Sequence, residues 1–384
     1  MKKILYVTTV SRTINAFLIP HIEMLLKEGD EVDCACAIDK PLDKRLLAKG
    51  VNIFEIPFTR SPLSPANIKA FKKLYNIQKT NKYDIIHVHT PVASIYGRLL
   101  KVFFPKLKSI YTAHGYHFFR GAPKRNWLMF YPIEKIMAKL TDVTININEE
   151  DYKITKERLK PKQCCLINGV GIDVDDYTFK NNEVRKQARE KLRLEDEDFV
   201  ILMIAELNEN KNHEQLIEAM MCLKNRYPKI KAICVGEGDK EEDLKGKIKA
   251  KGLDDNVKLL GFREDVKELI SAADMGMLLS YREGLPRSIM ELMAEGKKVI
   301  GTDTRGIRDL VSSKRVGKLV KINDYDGTAR AIRKYYLSKR EKFIVPKEIE
   351  KYEVNNILRE LSKVYDELVA EETTIVRQEK LRKV

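Results

Sequence analysis

What most constrains this 384-residue chain is an alternation: short, β-branched apolar runs are separated by helix-length amphipathic segments along nearly its whole length. KKILYVTTV, EVDCACAI, VNIFEIP, YDIIHVH, KSIYTAH, DVTININ and QCCLINGV come first, and DFVILMIAEL, KIKAICVG, NVKLLGF, ADMGMLLS, KKVIGTD and VGKLVKI follow. Helix candidates such as 13–27, 65–80, 93–104, 125–140 and 149–159 lie between the first seven. Strands joined through helices pair in parallel, and a parallel sheet buries both faces under those helices. The apolar density lapses once, near NGVGIDVDDYTF, and then restarts. The chain therefore reads as α/β with two doubly wound domains, 1–175 and 176–340, and a helical segment with a charged tail over 341–384. Two such sheets facing across a cleft present their strand C-terminal ends to a ligand, so chemistry is expected just after strands.

Composition narrows the classes. No apolar run approaches the roughly 20 residues that span a bilayer. The opening MKKILYVTTV ends at SRT without a small-residue cleavage site and reads as a buried strand rather than a signal peptide. The six cysteines include no CxxC spacing, so reduced thiols and a cytoplasmic compartment are expected. Net charge is +15, unevenly spread: residues 1–180 carry 29 Lys and Arg against 18 Asp and Glu. A basic first half suggests an anionic partner. Arg98, Lys101, Lys106, Lys108, Arg120, Lys124 and Arg125 interleave with Phe103, Phe104, Tyr116, Phe118, Phe119, Trp127 and Phe130. Basic residues mixed with aromatics suit an anionic membrane surface, and 114–132 is read as a membrane-facing wall on the acceptor side. No nucleic-acid module accompanies the cluster, so nucleic acid is not an expected partner.

The stretch SYREGLPRSIMELMAEG, 280–296, carries the sharpest signal. It follows a strand, Pro286 suits a first helical turn and Gly296 suits the position past the end. Amides near 285–288 would then lack helical partners and point at an anion. Glu283 precedes that turn, and Glu291 lies about 7 Å further along the axis. Carboxylates accept paired hydrogen bonds from neighbouring hydroxyls. A diphosphate flanked by a sugar and a ribose has this layout.

Other candidates are weaker. His87 and His89 alternate along a strand and can share a face, but two histidines are too few for zinc, and no metal is expected. Asp173 to Asp176 read as turn and capping residues. No G-x-G-x-x-G follows the first strand, which argues against a nicotinamide domain; Ser11, Arg12 and Thr13 occupy that turn. Arg12, by position, can meet an anionic acceptor.

The E-x7-E pair with Gly284-Leu285-Pro286 resembles the GT-B glycosyltransferases of family 4, the retaining group, most of all those of bacterial exopolysaccharide and capsule synthesis. TAHG at 112–115, INGV at 167–170, Lys211 in ELNENKN, VGEGD at 235–239, LLGFRED at 259–265 and TDTRGIRDLV at 302–311 agree in order and spacing. The resemblance implies a GT-B fold of two Rossmann-like domains. It implies that Glu283 contacts the donor sugar, Glu291 the ribose and Lys211 the diphosphate. Gly284, Leu285, Pro286 and Arg287 would frame the phosphates, Gly261, Phe262 and Arg263 the base, and His114 the sugar transferred. His89 and Tyr116 join Arg12 on the acceptor side. The family usually has arginine where this chain has Glu206, so Lys211 and the helix amides, or Arg282 or Arg287, must carry the leaving charge.

The expected function is transfer of a sugar from a nucleoside diphosphate sugar, UDP-linked by expectation, to a saccharide or polyprenyl-diphosphate-linked acceptor. Transfer would retain configuration, need no cofactor or divalent metal, and take place at the inner face of the cell membrane. A sugar-nucleotide epimerase, or a donor-binding regulatory subunit without turnover, are the alternatives.

Overall fold

The computed structural model describes residues 1–59, 61, 64–177, 182–338 and 344–381, with side chains through 370. The chain forms two units, one of Met1–Gly171 with the segment from Val354 onward, the other Ile172–Glu353. The terminal helix Val354–Leu381, read from sequence as a segment apart, thus belongs to the first unit. The last charged stretch, 371–384, lies outside the described side chains.

The first unit is built on seven strands: β1 (Lys3–Val10), β2 (Glu31–Ala37), β3 (Ile53–Glu55), β4 (Ile85–His89), β5 (Lys108–Ala113), β6 (Val143–Asn146) and β7 (Gln163–Leu166). Their order is β3-β2-β1-β4-β5-β6-β7, every neighbour parallel. Alternate residues feed two cores, as a period of two requires. Ile4, Tyr6, Cys34, Cys36 and Ile85 face the helix Ile19–Lys27 and Ile357, Leu361, Tyr365 and Leu368 of the terminal helix. Leu5, Val7, Ala35, Ile86 and Val88 face the layer containing helices Ala66–Asn81, Pro91–Leu99 and Lys124–Ala138. With both faces covered, strands read as continuous apolar runs, which is why they stand out in the sequence.

The second unit repeats the plan with β8 (Phe199–Ile204), β9 (Ile230–Val235), β10 (Val257–Leu259), β11 (Met275–Leu278), β12 (Lys298–Thr302) and β13 (Gly317–Val320). The order is β10-β9-β8-β11-β12-β13, again all parallel, around one apolar core. In each sheet the winding reverses once, between β1 and β4 and between β8 and β11. A crevice opens beyond the strand ends at such a reversal, because the two connections leave in opposite directions. Both candidate site regions sit there. All six cysteines are free thiols; Cys34, Cys36 and Cys234 are buried, while Cys222 is exposed.

Candidate active site

In the second unit, two loops leave the strand ends that flank the reversal. After β8, Asn208 accepts the amide of Lys211 at 3.2 Å and closes a single turn, Glu209–Lys211. After β11, Tyr281 donates its amide to the Asn210 carbonyl at 2.8 Å, and Asn210 Nδ2 donates to the Arg282 carbonyl at 3.1 Å. The two loops are thereby locked, and Lys211 Nζ meets Glu283 Oε1 at 2.5 Å. Both side chains are largely shielded, at 21% and 11% exposure, which strengthens their attraction relative to a surface pair.

The helix Arg287–Ala294 begins at Pro286, which serves as its cap residue in an extended conformation rather than as a first helical residue. No side chain caps the start. The amides of Leu285 and Ser288 have no partner among the described residues, so this end keeps the partial positive charge of an open helix terminus. At the other end Gly296 and Lys297 return their amides to Met293 and Leu292, at 2.9 Å each, closing the last turn. Burial of Ile289, Met290, Leu292 and Met293 pins the helix to the sheet.

Arg305 and Gly306 fix the loop from behind. Arg305, buried, donates from Nε to the Glu283 carbonyl at 3.0 Å. Gly306 has φ of 73°, and a β-carbon there would overlap the Gly284 carbonyl oxygen. Only glycine permits this approach. Further along the helix, Glu291 Oε1 accepts from Tyr177 Oη at 3.0 Å and from Arg287 Nε at 3.1 Å. Burial, and next the Glu291 charge, push the Tyr177 hydroxyl up to about 12. His213, beside Lys211, is buried with neither ring nitrogen partnered among the described residues. Burial, then the Lys211 charge, pull it down to about 4, so it is neutral at pH 7.

In the first unit, the β4 histidines do share a face: the His87 and His89 rings stack at 4.2 Å. His87 Nδ1 lies 2.6 Å from Tyr365 Oη, and its Nε2 lies 2.8 Å from Thr112 Oγ1. His89 Nδ1 lies 3.0 Å from His114 Nε2. A neutral pair of rings shares one proton across that contact, so the tautomers of His89 and His114 are coupled and the contact orients His114. Burial, and next His21, pull His114 down to about 4. Among the described residues no group of three or more His, Cys, Asp or Glu gathers as metal ligands do.

A pocket of about 390 Å³ opens at the β1/β4 reversal. Thr9, Thr90, Val92, Ile95, Phe130 and Ile133 are among its lining. Glu134 and Tyr111 also line it. Arg98 is buried beneath, bound to Glu134 by two hydrogen bonds of 2.9 and 3.2 Å and stacked 4.2 Å over the Tyr111 ring.

Comparison with known proteins gives the family. Residues 184–352 match the family of glycosyl transferases group 1, and residues 3–148 match the glycosyl transferase 4-like family. EpsD of Bacillus subtilis (strain 168), assigned to the glycosyltransferases, is 36% identical over 341 residues, 87% of each chain. The chain belongs to the group 1 glycosyltransferases. A galactosyltransferase of Escherichia coli, UDP-Gal:alpha-D-GlcNAc-diphosphoundecaprenol alpha-1,3-galactosyltransferase, is 28% identical over 319 residues, 81% of each chain. The N,N'-diacetylbacillosaminyl-diphospho-undecaprenol alpha-1,3-N-acetylgalactosaminyltransferase of Campylobacter jejuni is 25% identical over 331 residues, 84% of this chain and 83% of its own. Among solved structures, Anabaena HepE in complex with UDP and glucose superposes with a TM-score of 0.79 at 20% identity, covering 96% of this chain and all of that one. WaaG, of lipopolysaccharide biosynthesis, gives 0.72 at 13% identity, over 94% and 99%. The fold is GT-B.

Against this glycosyltransferase frame, the residues singled out from sequence fall into two groups. Lys211, Glu283, Gly284, Leu285, Pro286, Arg287 and Glu291 come together in the second unit, on two interlocked loops and one helix. Gly261, Phe262 and Arg263 follow β10; the Gly261 carbonyl accepts the Gly236 amide at 2.9 Å, Phe262 is exposed, and Arg263 forks onto Asp265. In the first unit, His114 is only partly covered, but His89 is buried and contacts it. Tyr116 turns its hydroxyl inward to Thr155 at 2.8 Å, leaving only its ring at the pocket. Arg12 is exposed and already paired with Asp39 at 3.0 Å. Arg98 is no surface cation, for the reason given above, and Phe118 and Tyr116 are core. Glu206 is exposed. Arg305, Gly306, Tyr177 and His213 escaped sequence reasoning as site residues; the TRG of the 302–311 segment was the available signal for the first two.

Proposed function

We propose that this glycosyltransferase moves a sugar from a UDP-linked donor to a saccharide carried on a polyprenyl diphosphate, with retention, at the inner face of the cell membrane. The observation that carries the reading is Lys211 bound to Glu283 beside the open turn of the helix Arg287–Ala294. In the free protein the ammonium and carboxylate satisfy each other. A donor would separate them: the diphosphate takes Lys211 and the amides of Leu285 and Ser288, and Glu283 turns to the sugar hydroxyls. Glu291, oriented by Arg287 and Tyr177, would take the ribose diol. Support for the donor is UDP in the HepE complex; support for the acceptor is the diphosphoundecaprenol named for the Escherichia coli and Campylobacter relatives.

The chemistry follows from charge. Bond breaking at the anomeric carbon sends negative charge onto the diphosphate, where the lysine and fixed amide dipoles stabilise it at no reorganisation cost. The departing phosphate oxygen can accept the acceptor hydroxyl's proton on the same face, which gives retention. Neutral His114, oriented by His89, would hydrogen-bond the sugar without adding charge. Lysine and helix amides supply the positive field, so no divalent ion is invoked. The reading of membrane attachment is supported by Leu128, Met129 and Ile136, 80%, 57% and 59% exposed on the helix Lys124–Ala138 among exposed Lys124, Arg125 and Lys139. Val102 and Phe103 add exposed apolar surface on the same helical layer. Among the described residues no helix is long and apolar enough to cross a membrane.

The test is a thermal-shift screen of UDP- and GDP-sugars, followed by transfer to a lipid-diphosphate saccharide with EDTA present and the product anomer read by NMR. Activity that requires a divalent ion, an inverted anomer, or donor turnover without acceptor, as an epimerase would give, each removes part of the reading. Binding without transfer would favour the donor-binding subunit that Glu206 brings to mind, and Glu206→Arg would then restore turnover.

A further inference from the structure

Thr90 is the backbone outlier at the first-unit pocket. It sits between His89 and Pro91 with φ of 65° and ψ of 144°, a conformation that a β-branched residue adopts only under constraint. Such positions cost about 1–3 kcal/mol and concentrate at ligand-binding sites. What holds Thr90 is a closed proton count. Its hydroxyl donates to the His89 carbonyl at 2.5 Å, and it accepts the Thr9 amide at 3.0 Å. The remaining contact is Thr9 Oγ1 at 2.7 Å. A hydroxyl has one proton and two lone pairs, so with Thr90's proton already committed, Thr9 must be the donor. Thr90 is then saturated. Thr9 Oγ1 keeps lone pairs with no donor among the described residues, at the wall of the pocket. The pocket therefore asks its ligand for an N–H or O–H.

The rest of the lining says what else the ligand carries. Val92, Ile95, Phe118, Phe130 and Ile133 are apolar. Glu134, the acid at the wall, is bound to Arg98 on both oxygens, so the pocket does not call for an ionic group. A plain pyranose would leave the apolar wall unfilled, and a prenyl chain would leave Thr9 without a donor. An amide N–H bearing a methyl satisfies both. We propose, resting on the acceptor reading above, that this pocket seats the acetamido group of the acceptor's terminal sugar: N–H to Thr9 Oγ1, methyl against the Val92–Ile95 wall. The glycosyltransferase would then select acceptors by their acetamido group, with Thr9 as the anchor and the Val92–Ile95 wall as the part that reads the methyl. Gly115, next to His114, lies in the same lining, so a sugar anchored there is presented beside the histidine.

The experiment uses the full chain and two synthetic lipids, N-acetylglucosaminyl-diphospho-decane and glucosyl-diphospho-decane, which differ at one substituent. In saturation-transfer NMR the acetyl methyl should receive the strongest transfer, and the glucosyl lipid, whose 2-hydroxyl can still donate to Thr9 but which has no methyl for the wall, should bind about fivefold more weakly, the scale of one buried methyl group. Ile95→Phe should remove most of that preference, and Thr9→Val should weaken both lipids about tenfold, the value of one hydrogen bond, with the thermal response to a nucleotide sugar confirming a folded protein. Equal binding of the two lipids, strongest saturation on the decyl chain, an unchanged preference in Ile95→Phe, or unchanged binding of both lipids in Thr9→Val would overturn the proposal. Selective methyl saturation without sugar transfer from any nucleotide sugar would uphold this pocket and remove the transferase reading instead.

Discussion

Lys211 and Glu283 illustrate how a resting ion pair can be a functional device. The pair is partly shielded and its loops are locked by Asn210, so neither group wanders into solvent. Removing Lys211 leaves a carboxylate where the diphosphate should arrive, which is worse than simple loss of a contact. Lys211→Met should therefore lower kcat/KM by about a hundredfold or more, the scale of one lost transition-state donor, and abolish the thermal shift caused by UDP. Retained UDP stabilisation would place the phosphate elsewhere. Arg305 acts one step back, through the Glu283 carbonyl. Arg305→Ala should raise the KM for donor about tenfold, and Arg305→Lys should recover part of it; a merely structural role would instead lower thermal stability with KM unchanged. Glu283 was visible in sequence but this contact was not, because a main-chain contact 22 residues away leaves no local pattern.

At the scale of elements, the inner strands were legible because they are buried on both faces and read as apolar runs, while the edge strands β3, β7, β10 and β13 keep exposed or half-buried positions and were marked by their β-branched and flanking residues. Helix ends were less so: the segment expected over 93–104 is a helix Pro91–Leu99 with a tighter turn Leu100–Val102. The charged residues of amphipathic helices misled most. Arg98 looks like any helix-surface cation until Glu134, 36 residues on, neutralises it in the interior. The glycines of VGEGD, Gly236 and Gly238, have a packing use: β-carbons there would overlap the carbonyls of Ala205 and Leu207, so the pair lets the segments after β8 and β9 close up. Gly306→Ala should push the Glu283–Pro286 loop away by the same steric logic. It should cost about 1–3 kcal/mol in urea unfolding and weaken donor binding together. On the helix Lys124–Ala138, a Leu128→Asp, Met129→Asp double variant should lose sedimentation with anionic vesicles while keeping its melting temperature, since neither side chain is buried. Unchanged sedimentation would remove the membrane surface from the proposal.

Across the whole molecule, the histidines set an acid limit. His21, His114 and His213 are each pulled down to about 4, chiefly by burial, and His87 and His89 lie well below their usual value for the same reason. A folded value below the unfolded one means that the unfolded chain binds more protons between them. Their contribution is therefore intact above pH 6.5 and lost as pH falls from 6.5 toward 4. Each histidine steepens that fall by about 1.4 kcal/mol per pH unit. Urea midpoints measured from pH 7.5 to 4.5 should stay level at first and then drop sharply below about pH 6. A flat profile through pH 5 would contradict the buried, neutral state assigned to His114.

The path of the chain carries a consequence for engineering. It leaves the first unit after Gly171 and re-enters at Val354, two residues packed so closely that a β-carbon on the glycine would meet the valine backbone. Within the second unit, Ile172 at one end donates its amide to Tyr352 near the other at 2.9 Å. Entrance and exit adjoin, as in a plug wired through a single socket. If the second unit reads the activated sugar as proposed, exchanging it between relatives as one cassette, spliced at 171/172 and 353/354, should give hybrids that pair one protein's acceptor with another's donor.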